Sequence, residues 1–210
     1  MDIRESTKLF SEPGQKRKTL GKIIKSFTSE VIEILLKNQN GELDKDVYEI
    51  GIRGDCVYAI LVCESNSNSI DNAFIKAELI ISFEKMLNKV LDNNNFPNIK
   101  CGIGIADGES LVIKAGREGS GINDFVWIGK AVPFASKFSN IANKGNVSHI
   151  VITENIYLKE IETLIKRNTD KTEAKIKGWF KKEYDSVYGI YYHASVTKKA
   201  FDSWIDKELN

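Results

Sequence analysis

The stretch VYEIGIRGDCVYAILVC, residues 47–63, contains two runs rich in β-branched and aromatic side chains that meet at Gly54-Asp55. A glycine–aspartate pair between two such runs is a strong signal for a tight β-hairpin. The pattern therefore predicts strands over Val47 to Arg53 and Cys56 to Cys63. Asp55 at the tip has an ordinary explanation, because Asp and Gly both favour turns. The alternative is that it holds a divalent cation, since Mg²⁺ and Mn²⁺ prefer carboxylate oxygens.

Long helices are predicted on both sides of this hairpin. Apolar residues recur at helical spacing from about residue 16 to residue 37, and Asn40-Gly41 ends the pattern. A second helix is predicted from about Ile70 to Leu91, with Ser69 and Asp71 as candidate N-caps. The same reasoning predicts the following further elements: strands over Ile99–Ile105, Leu111–Ala115, Phe125–Ile128 and His149–Ile152, helices over Lys130–Ala142 and Asn155–Ile165, a hairpin within Ala174–Ala194, and a last helical turn around Phe201, Trp204 and Ile205.

Helix, hairpin, helix and strand in this order form the core of a ferredoxin-like βαββαβ domain, with a C-terminal αβ extension. We expect an α+β sandwich with helices on one face of a mostly antiparallel sheet. The opening strand is missing from the pattern, because only Met1 precedes Asp2. A central slot without its strand leaves ladder groups unpaired, so we expect that the natural chain starts upstream.

The composition excludes several classes of protein. Thirty basic and 29 acidic residues give a net charge of +1, which provides no general attraction to nucleic acid or to anionic membranes. No run of about 18 apolar residues and no signal peptide is present, so we expect a soluble, cytoplasmic protein. The three cysteines lie in apolar runs typical of reduced core thiols. We expect one domain over residues 1–195 and a helical tail over residues 196–210.

Four segments together resemble the class III adenylate/guanylate cyclases, which convert a nucleoside triphosphate into its 3′,5′-cyclic monophosphate. The resemblance covers about residues 1–155, and its segments occur in the family's order: Asp2-Ile3-Arg4-Glu5-Ser6-Thr7, Gly54-Asp55, Cys101-Gly102-Ile103-Gly104-Ile105-Ala106-Asp107-Gly108 and the strand-to-helix segment from Asn123 to Val132.

The resemblance implies a site for two metal ions, Mn²⁺ or Mg²⁺. Asp2 and Asp55 would be the carboxylate ligands, and the backbone carbonyl of Ile3 would be a further one. In this chemistry the ions lower the pKa of the ribose 3′-OH and neutralise the triphosphate. The polar segment 6–14 would lie near the phosphates. The family builds each active site from two subunits, which implies a homodimer.

The chain departs from the purine-specific members of the family. Their base-recognising side chains fall at Gly51 and Val126, and neither can hydrogen-bond a purine edge. The sequences of residues 51–58 and 113–130 resemble those of the pyrimidine cyclases of bacterial Pycsar antiphage systems. That resemblance implies UTP or CTP as substrate, UTP being preferred, and a separately encoded effector activated by the cyclic nucleotide. Tyr48, Arg53 and Tyr58 are candidates for base or ribose contacts, although each is equally explained as an ordinary sheet residue.

The family's catalytic asparagine and arginine fall at Pro133 and Lys137. Proline cannot donate a hydrogen bond and fits best in a first helical turn, whereas Lys137 can still meet phosphate charge as a point cation. Lys177 resembles a phosphate-binding lysine of the family, with a plain surface lysine as the alternative. The sequence leaves two other functions open: a purine cyclase with unusual base contacts, and an inactive cyclase-like module that dimerises or senses nucleotides.

Overall fold

The computed structural model describes residues 1–7, 17–62, 66–117, 119, 121 and 123–209, without the side chains of residues 66–68. Its strands are β1 Asp2–Ile3, β2 Val47–Arg53, β3 Cys56–Leu61, β4 Cys101–Ile105, β5 Ser110–Gly116, β6 Asn123–Gly129, β7 Ile150–Thr153, β8 Phe180–Asp185 and β9 Gly189–Ala194. Its helices are α1 Arg17–Leu36, α2 Asn66–Asn93, α3 Ala131–Ile141, α4 Glu154–Arg167, α5 Glu173–Lys177 and α6 Lys199–Glu208.

Seven strands form the main sheet in the order β2-β3-β1-β4-β7-β9-β8, and β5 and β6 form a separate two-stranded sheet. The first four positions are those of a ferredoxin-like βαββαβ unit, and β7, β8 and β9 extend it. Only the β4–β7 pair is parallel among the pairs within the described sheets. The predicted fold class is therefore confirmed.

The predicted hairpin turns at Gly54, whose φ of +63° lies in the left-handed region that glycine adopts at little cost. Some predicted bounds were wrong by a few residues. Strand β3 ends at Leu61, and Cys63 lies outside the described residues. Helix α2 begins at Asn66, four residues before the predicted start, so the candidate caps Ser69 and Asp71 lie inside its first turns.

Helices cover both faces of the sheet, which corrects the expectation that they lie on one face. Neighbouring residues of a strand point to opposite faces. Ile150 and Ile152 belong to the large core beneath α1 and α2, whereas Val151 packs with Phe138 and Ala142 of the α3 region in a second core. Sequence periodicity shows that α3 is amphipathic, but the face on which it packs is a tertiary property.

The predicted gap in the centre of the sheet is partly filled. Asp2 and Ile3 form a two-residue strand that pairs with β3 on one side and β4 on the other. The amino group of Met1 donates a hydrogen bond to the carbonyl of Val57 over 2.9 Å. Next to Met1, a cavity of about 510 Å³ lies between β3 and β4, and residues of both strands line it.

The C-terminal helix α6 packs on α2. Ile205 is fully buried, and the backbone amide of Lys198 donates to the Ser82 hydroxyl over 2.9 Å. Within the described ranges, no helix combines sufficient length with sufficient hydropathy to cross a membrane.

Candidate metal and nucleotide site

Asp2 and Asp55 meet at one end of the main sheet. Asp2 pairs directly with Cys56, which places it beside the turn of the β2–β3 hairpin. Asp2, Asp55 and Cys56 each offer a ligand atom, and these atoms lie within 4.8 Å of one another. Two residues 53 positions apart in the sequence thus form a compact acidic pair, because β1 runs between the hairpin and β4.

Hydrogen bonds orient both carboxylates. The Ser6 hydroxyl donates to Oδ2 of Asp55 over 2.6 Å, and the Cys56 thiol donates to Oδ1 of Asp2 over 3.2 Å. Burial, followed by the hydrogen bond to Asp2, raises the pKa of Cys56 to about 11. Its sulfur is a soft donor, which Mg²⁺ and Mn²⁺ do not prefer. The usable donors are carboxylate oxygens, a set that suits Mg²⁺ or Mn²⁺.

Arg4 anchors Asp2 to helix α3. The residue is 5% exposed, and its guanidinium forms an ion pair with Oδ2 of Asp2 at 2.9 Å. It also donates to the backbone carbonyl of Asn140 over 2.9 Å and to that of Ser139. A buried, multiply hydrogen-bonded arginine of this kind fixes the position of its carboxylate partner. Asp2 is therefore held in place from the α3 side.

The Gly102-Ile103-Gly104 segment allows α3 to approach β4. A Cβ at Gly102 would lie 2.5 Å from the carbonyl oxygen of Ala142 and 2.6 Å from the guanidinium of Arg4. A Cβ at Gly104 would overlap the backbone of α3 at Ala135. The glycines of this motif thus act through close packing, and they support the site indirectly through Arg4.

A second group of polar and aromatic residues lies on β2, β3 and β6. Gly51 pairs directly with Tyr58, and a Cβ at residue 51 would overlap the Tyr58 ring. The Tyr58 hydroxyl donates to Oε1 of Glu49 over 2.5 Å, and Nε1 of Trp127 donates to Oε2 of the same carboxylate over 2.8 Å. The bond to Glu49 raises the pKa of Tyr58. The ring of Tyr58 occupies the space that a larger residue 51 would fill.

The predicted base-site residues surround this group. The Arg53 guanidinium lies 5.6 Å from the centre of the Tyr58 ring, within cation–π range. The Tyr48 ring packs edge-on against Trp127, with the ring centres 5.6 Å apart. Tyr48, Arg53 and Tyr58 are thus brought together.

A cavity of about 510 Å³ opens beside these rings. Arg53, Tyr58 and Trp127 form part of its wall, and α2 and α3 close it from the two faces of the sheet. A second cavity of about 540 Å³ adjoins it and shares Gly104 and Trp127 as lining residues. Most of the residues that line the first cavity are aliphatic, and Arg53, Tyr58, Phe125 and Trp127 are among the larger polar and aromatic residues in its wall.

The other candidate residues lie elsewhere. Lys137 is exposed on α3, and Pro133 occupies the first turn of that helix, where proline fits. Lys177 is exposed on α5 and forms an ion pair with Glu173, which raises the pKa of the lysine. Lys137 and Lys177 line neither of the two cavities. Ile3 is 3% exposed, and its side chain lies in the core.

Three residues of this region were not predicted: Arg4, Glu49 and Trp127. Arg4 and Trp127 lie inside segments that carry the resemblance, so their position in those segments was an available signal. Glu49 had no local signal, because its two partners are 9 and 78 positions away.

The chain belongs to the class III nucleotide cyclases. Residues 1–190 match the family described as "Adenylate and Guanylate cyclase catalytic domain". The fold agrees, since a bacterial light-regulated adenylyl cyclase covers the whole chain with a TM-score of 0.67 at 16% identity and with 94% of its own length matched. The guanylyl cyclase Cya2 covers 94% of this chain and 90% of its own with a TM-score of 0.64 at 12% identity.

Two curated relatives carry a more specific name. A uridylate cyclase from Treponema porcinum is 38% identical over the whole of this chain, and one from Gulbenkiania mobilis is 34% identical over 75% of it. The matched parts amount to 66% and 60% of these relatives, so the chain spans just under two thirds of the proteins that it resembles.

Proposed function

We propose that this protein is a pyrimidine nucleotide cyclase that converts UTP, or CTP, into the 3′,5′-cyclic monophosphate and pyrophosphate. The observation that carries the proposal is the acidic pair of Asp2 and Asp55, next to a cavity whose lining includes Cys56, Arg53 and Tyr58. Cyclisation of a triphosphate requires charge neutralisation at the phosphates and alignment of the 3′-OH, and a pair of carboxylates suited to divalent cations supplies the first requirement.

Two observations support a pyrimidine substrate. The curated relatives are named uridylate cyclases. In addition, the two positions from which purine cyclases extend a base-recognising side chain are Gly51 and Val126 here, and neither side chain can hydrogen-bond a base. The Tyr58 ring covers Gly51, and Val126 is 41% exposed. A site that recognises its substrate by hydrogen bonds loses affinity when those partners are absent. Tyr48, Arg53 and Tyr58 are the residues that we propose to contact the base or ribose.

Asp2, Asp55 and the carbonyl of Ile3 would hold two ions, Mn²⁺ or Mg²⁺. When bound, such ions lower the pKa of the ribose hydroxyl and offset the charge of the leaving pyrophosphate. Arg4 positions Asp2, and Ser6 orients Asp55. We propose Lys137 and Lys177 as phosphate contacts. Because neither lines a cavity of its own subunit, they would contact a nucleotide bound by the other subunit of the dimer.

The remaining parts of the proposal follow from the family. Residues 1–195 would form the catalytic domain and residues 196–210 a helical tail. We propose a cytoplasmic homodimer with its active sites at the subunit interface, without nucleic acid or membrane as a partner. The cyclic nucleotide would act as a second messenger in antiviral defence, through a separately encoded effector.

Incubation with each of the four nucleoside triphosphates and Mn²⁺, followed by mass spectrometry of the products, tests the proposal. We expect cyclic UMP, with cyclic CMP as the second outcome within the proposal. Asp55→Ala should abolish formation of the product while leaving the melting temperature near that of the wild type, and Asp92→Ala on the exposed surface of α2 is the matched control. A purine product from the wild type would contradict the pyrimidine assignment.

An inactive, nucleotide-sensing module is the second candidate, and Pro133 in place of the catalytic asparagine is the observation that favours it. Absence of product from all four triphosphates, together with retained nucleotide binding, would place this candidate ahead.

A further inference from the structure

Glu49 contacts two aromatic residues that line the cavity of about 510 Å³. Its carboxylate accepts one hydrogen bond from Tyr58 on β3 and one from Trp127 on β6. It therefore joins the edge of the main sheet to the separate β5–β6 sheet. Among the described residues, Tyr58 and Trp127 line the cavity but Glu49 does not. Glu49 lies behind the two rings and contacts both.

The local strand geometry explains why this residue reaches both rings. The β2–β3 register shifts between Val47 and Glu49, so that Tyr48 is an extra residue in the ladder. Such a bulge re-aims the side chains beside it. Glu49 then shares a face with Gly51, two residues on, and that face is the one on which Tyr58 lies. Tyr48 packs on Trp127 from the adjacent position.

Gly51 leaves the space into which the Tyr58 ring folds, and Glu49 fixes the far end of that ring through its hydroxyl. Without the carboxylate, nothing described in this region hydrogen-bonds the hydroxyl, and the ring is free to leave the space over Gly51. The volume available to a base would then increase.

We propose that Glu49 is a positioning residue that determines base specificity by holding Tyr58 and Trp127 in place as two walls of the base pocket. This inference rests on the proposed function, and it adds a residue that neither contacts the metal pair nor lines the cavity. The carboxylate acts through its two hydrogen bonds and through its length.

Three variants separate these properties. Glu49→Gln keeps both bonds without the charge, because the amide oxygen accepts from Trp127 while the amide nitrogen donates to the Tyr58 oxygen. Glu49→Asp keeps the charge, but it is one methylene too short to reach both rings. Glu49→Ala removes both hydrogen bonds and the charge. Glu183→Ala, a glutamate on the edge strand β8, is the matched control.

We expect Glu49→Ala and Glu49→Asp to raise the KM for UTP about tenfold, equivalent to about 1.4 kcal/mol, with kcat changed by less than about threefold. Both should also increase kcat/KM for ATP relative to UTP. Glu49→Gln should resemble the wild type on each measure. If Asp behaves as wild type and Gln does not, charge and not positioning is the property that matters, and the proposal is overturned.

A readout that needs no turnover keeps this inference distinct from the proposed function. In protein labelled with ¹⁵N-tryptophan, the chain's three tryptophans give separate indole N–H signals, and Trp127→Phe assigns one of them. That signal should shift in Glu49→Ala and Glu49→Asp and stay near its place in Glu49→Gln. A wild type that cyclises no triphosphate refutes the proposed function only, whereas an unmoved Trp127 signal in the Ala and Asp variants refutes the role of Glu49.

Discussion

Replacing Gly104 by alanine should destabilise the contact between β4 and α3 on which the acidic pair depends. The new Cβ would overlap the backbone carbonyl of Ala135 and the backbone nitrogen of Ser139, and it would lie 2.8 Å from the Cβ of Phe138. Two of these neighbours are backbone atoms of a packed helix, which cannot rotate aside as a flexible side chain can. The helix must therefore move away from the sheet as a unit.

Overpacking of this kind costs about 1–3 kcal/mol, and the backbone clash places Gly104→Ala at the upper end of that range. For a domain of this size, each kcal/mol shifts the melting temperature by about 2–4 °C. A cost of about 3 kcal/mol therefore corresponds to a fall of roughly 6–12 °C. Activity should fall as well, because α3 carries the carbonyls that hold Arg4 beside Asp2.

Gly21→Ala is the matched control, because the same atom is added to a helical glycine with nothing within 4 Å of the new Cβ. Alanine favours a helix over glycine by about 1 kcal/mol, so this variant should melt about 2–4 °C higher. Thermal unfolding followed by circular dichroism measures both variants. A Gly104→Ala protein that melts at or above the wild-type temperature would show that α3 does not press on β4 as described.

Two further predictions concern buried charges. Lys76 is buried, forms an ion pair with Asp44 at 2.9 Å and donates to carbonyls at the end of α1. Lys76→Met should therefore lower the free energy of unfolding, measured with urea, by about 3–5 kcal/mol, because it leaves the Asp44 carboxylate buried without its partner. Adding Asp44→Asn should restore part of that loss, since no lone charge then stays buried, and a double variant no more stable than the single one would contradict this account. Burial first, and Asp71 second, raise the pKa of Glu160 from 4.5 to about 8, with Arg167 opposing the shift. Between about pH 5 and pH 8 the folded state holds a proton that the unfolded chain has released, so the free energy of unfolding should decrease as the pH rises through this range. Glu160→Gln should reduce this pH dependence in thermal melts at pH 5 and pH 8. An equal change in melting temperature for both proteins would refute the assignment.

The sequence predicted those features that depend on neighbouring residues. Periodicity within residues 16–37 predicted α1, and Gly54-Asp55 predicted the hairpin, because helical spacing and turn preference are local properties. Helix ends were less accurate, as at α2, where two candidate caps fell inside the helix. The proximity of the Asp2 and Asp55 carboxylates was predicted from the resemblance and not from the residues alone.

Tertiary structure decided which side chains share a volume. Whether α3 covers the second face of the sheet depends on the close approach that Gly102 and Gly104 permit. Whether Arg4 becomes a buried partner of Asp2 depends on carbonyls more than 130 positions away. Glu49 gains its importance only when β6 brings Trp127 to it across 78 positions. Local preferences act over a few residues, whereas burial and hydrogen-bond partners are set by the packing of distant segments, so the sequence by itself determined the elements and the class of chemistry, and only the fold determined how the pocket is held together.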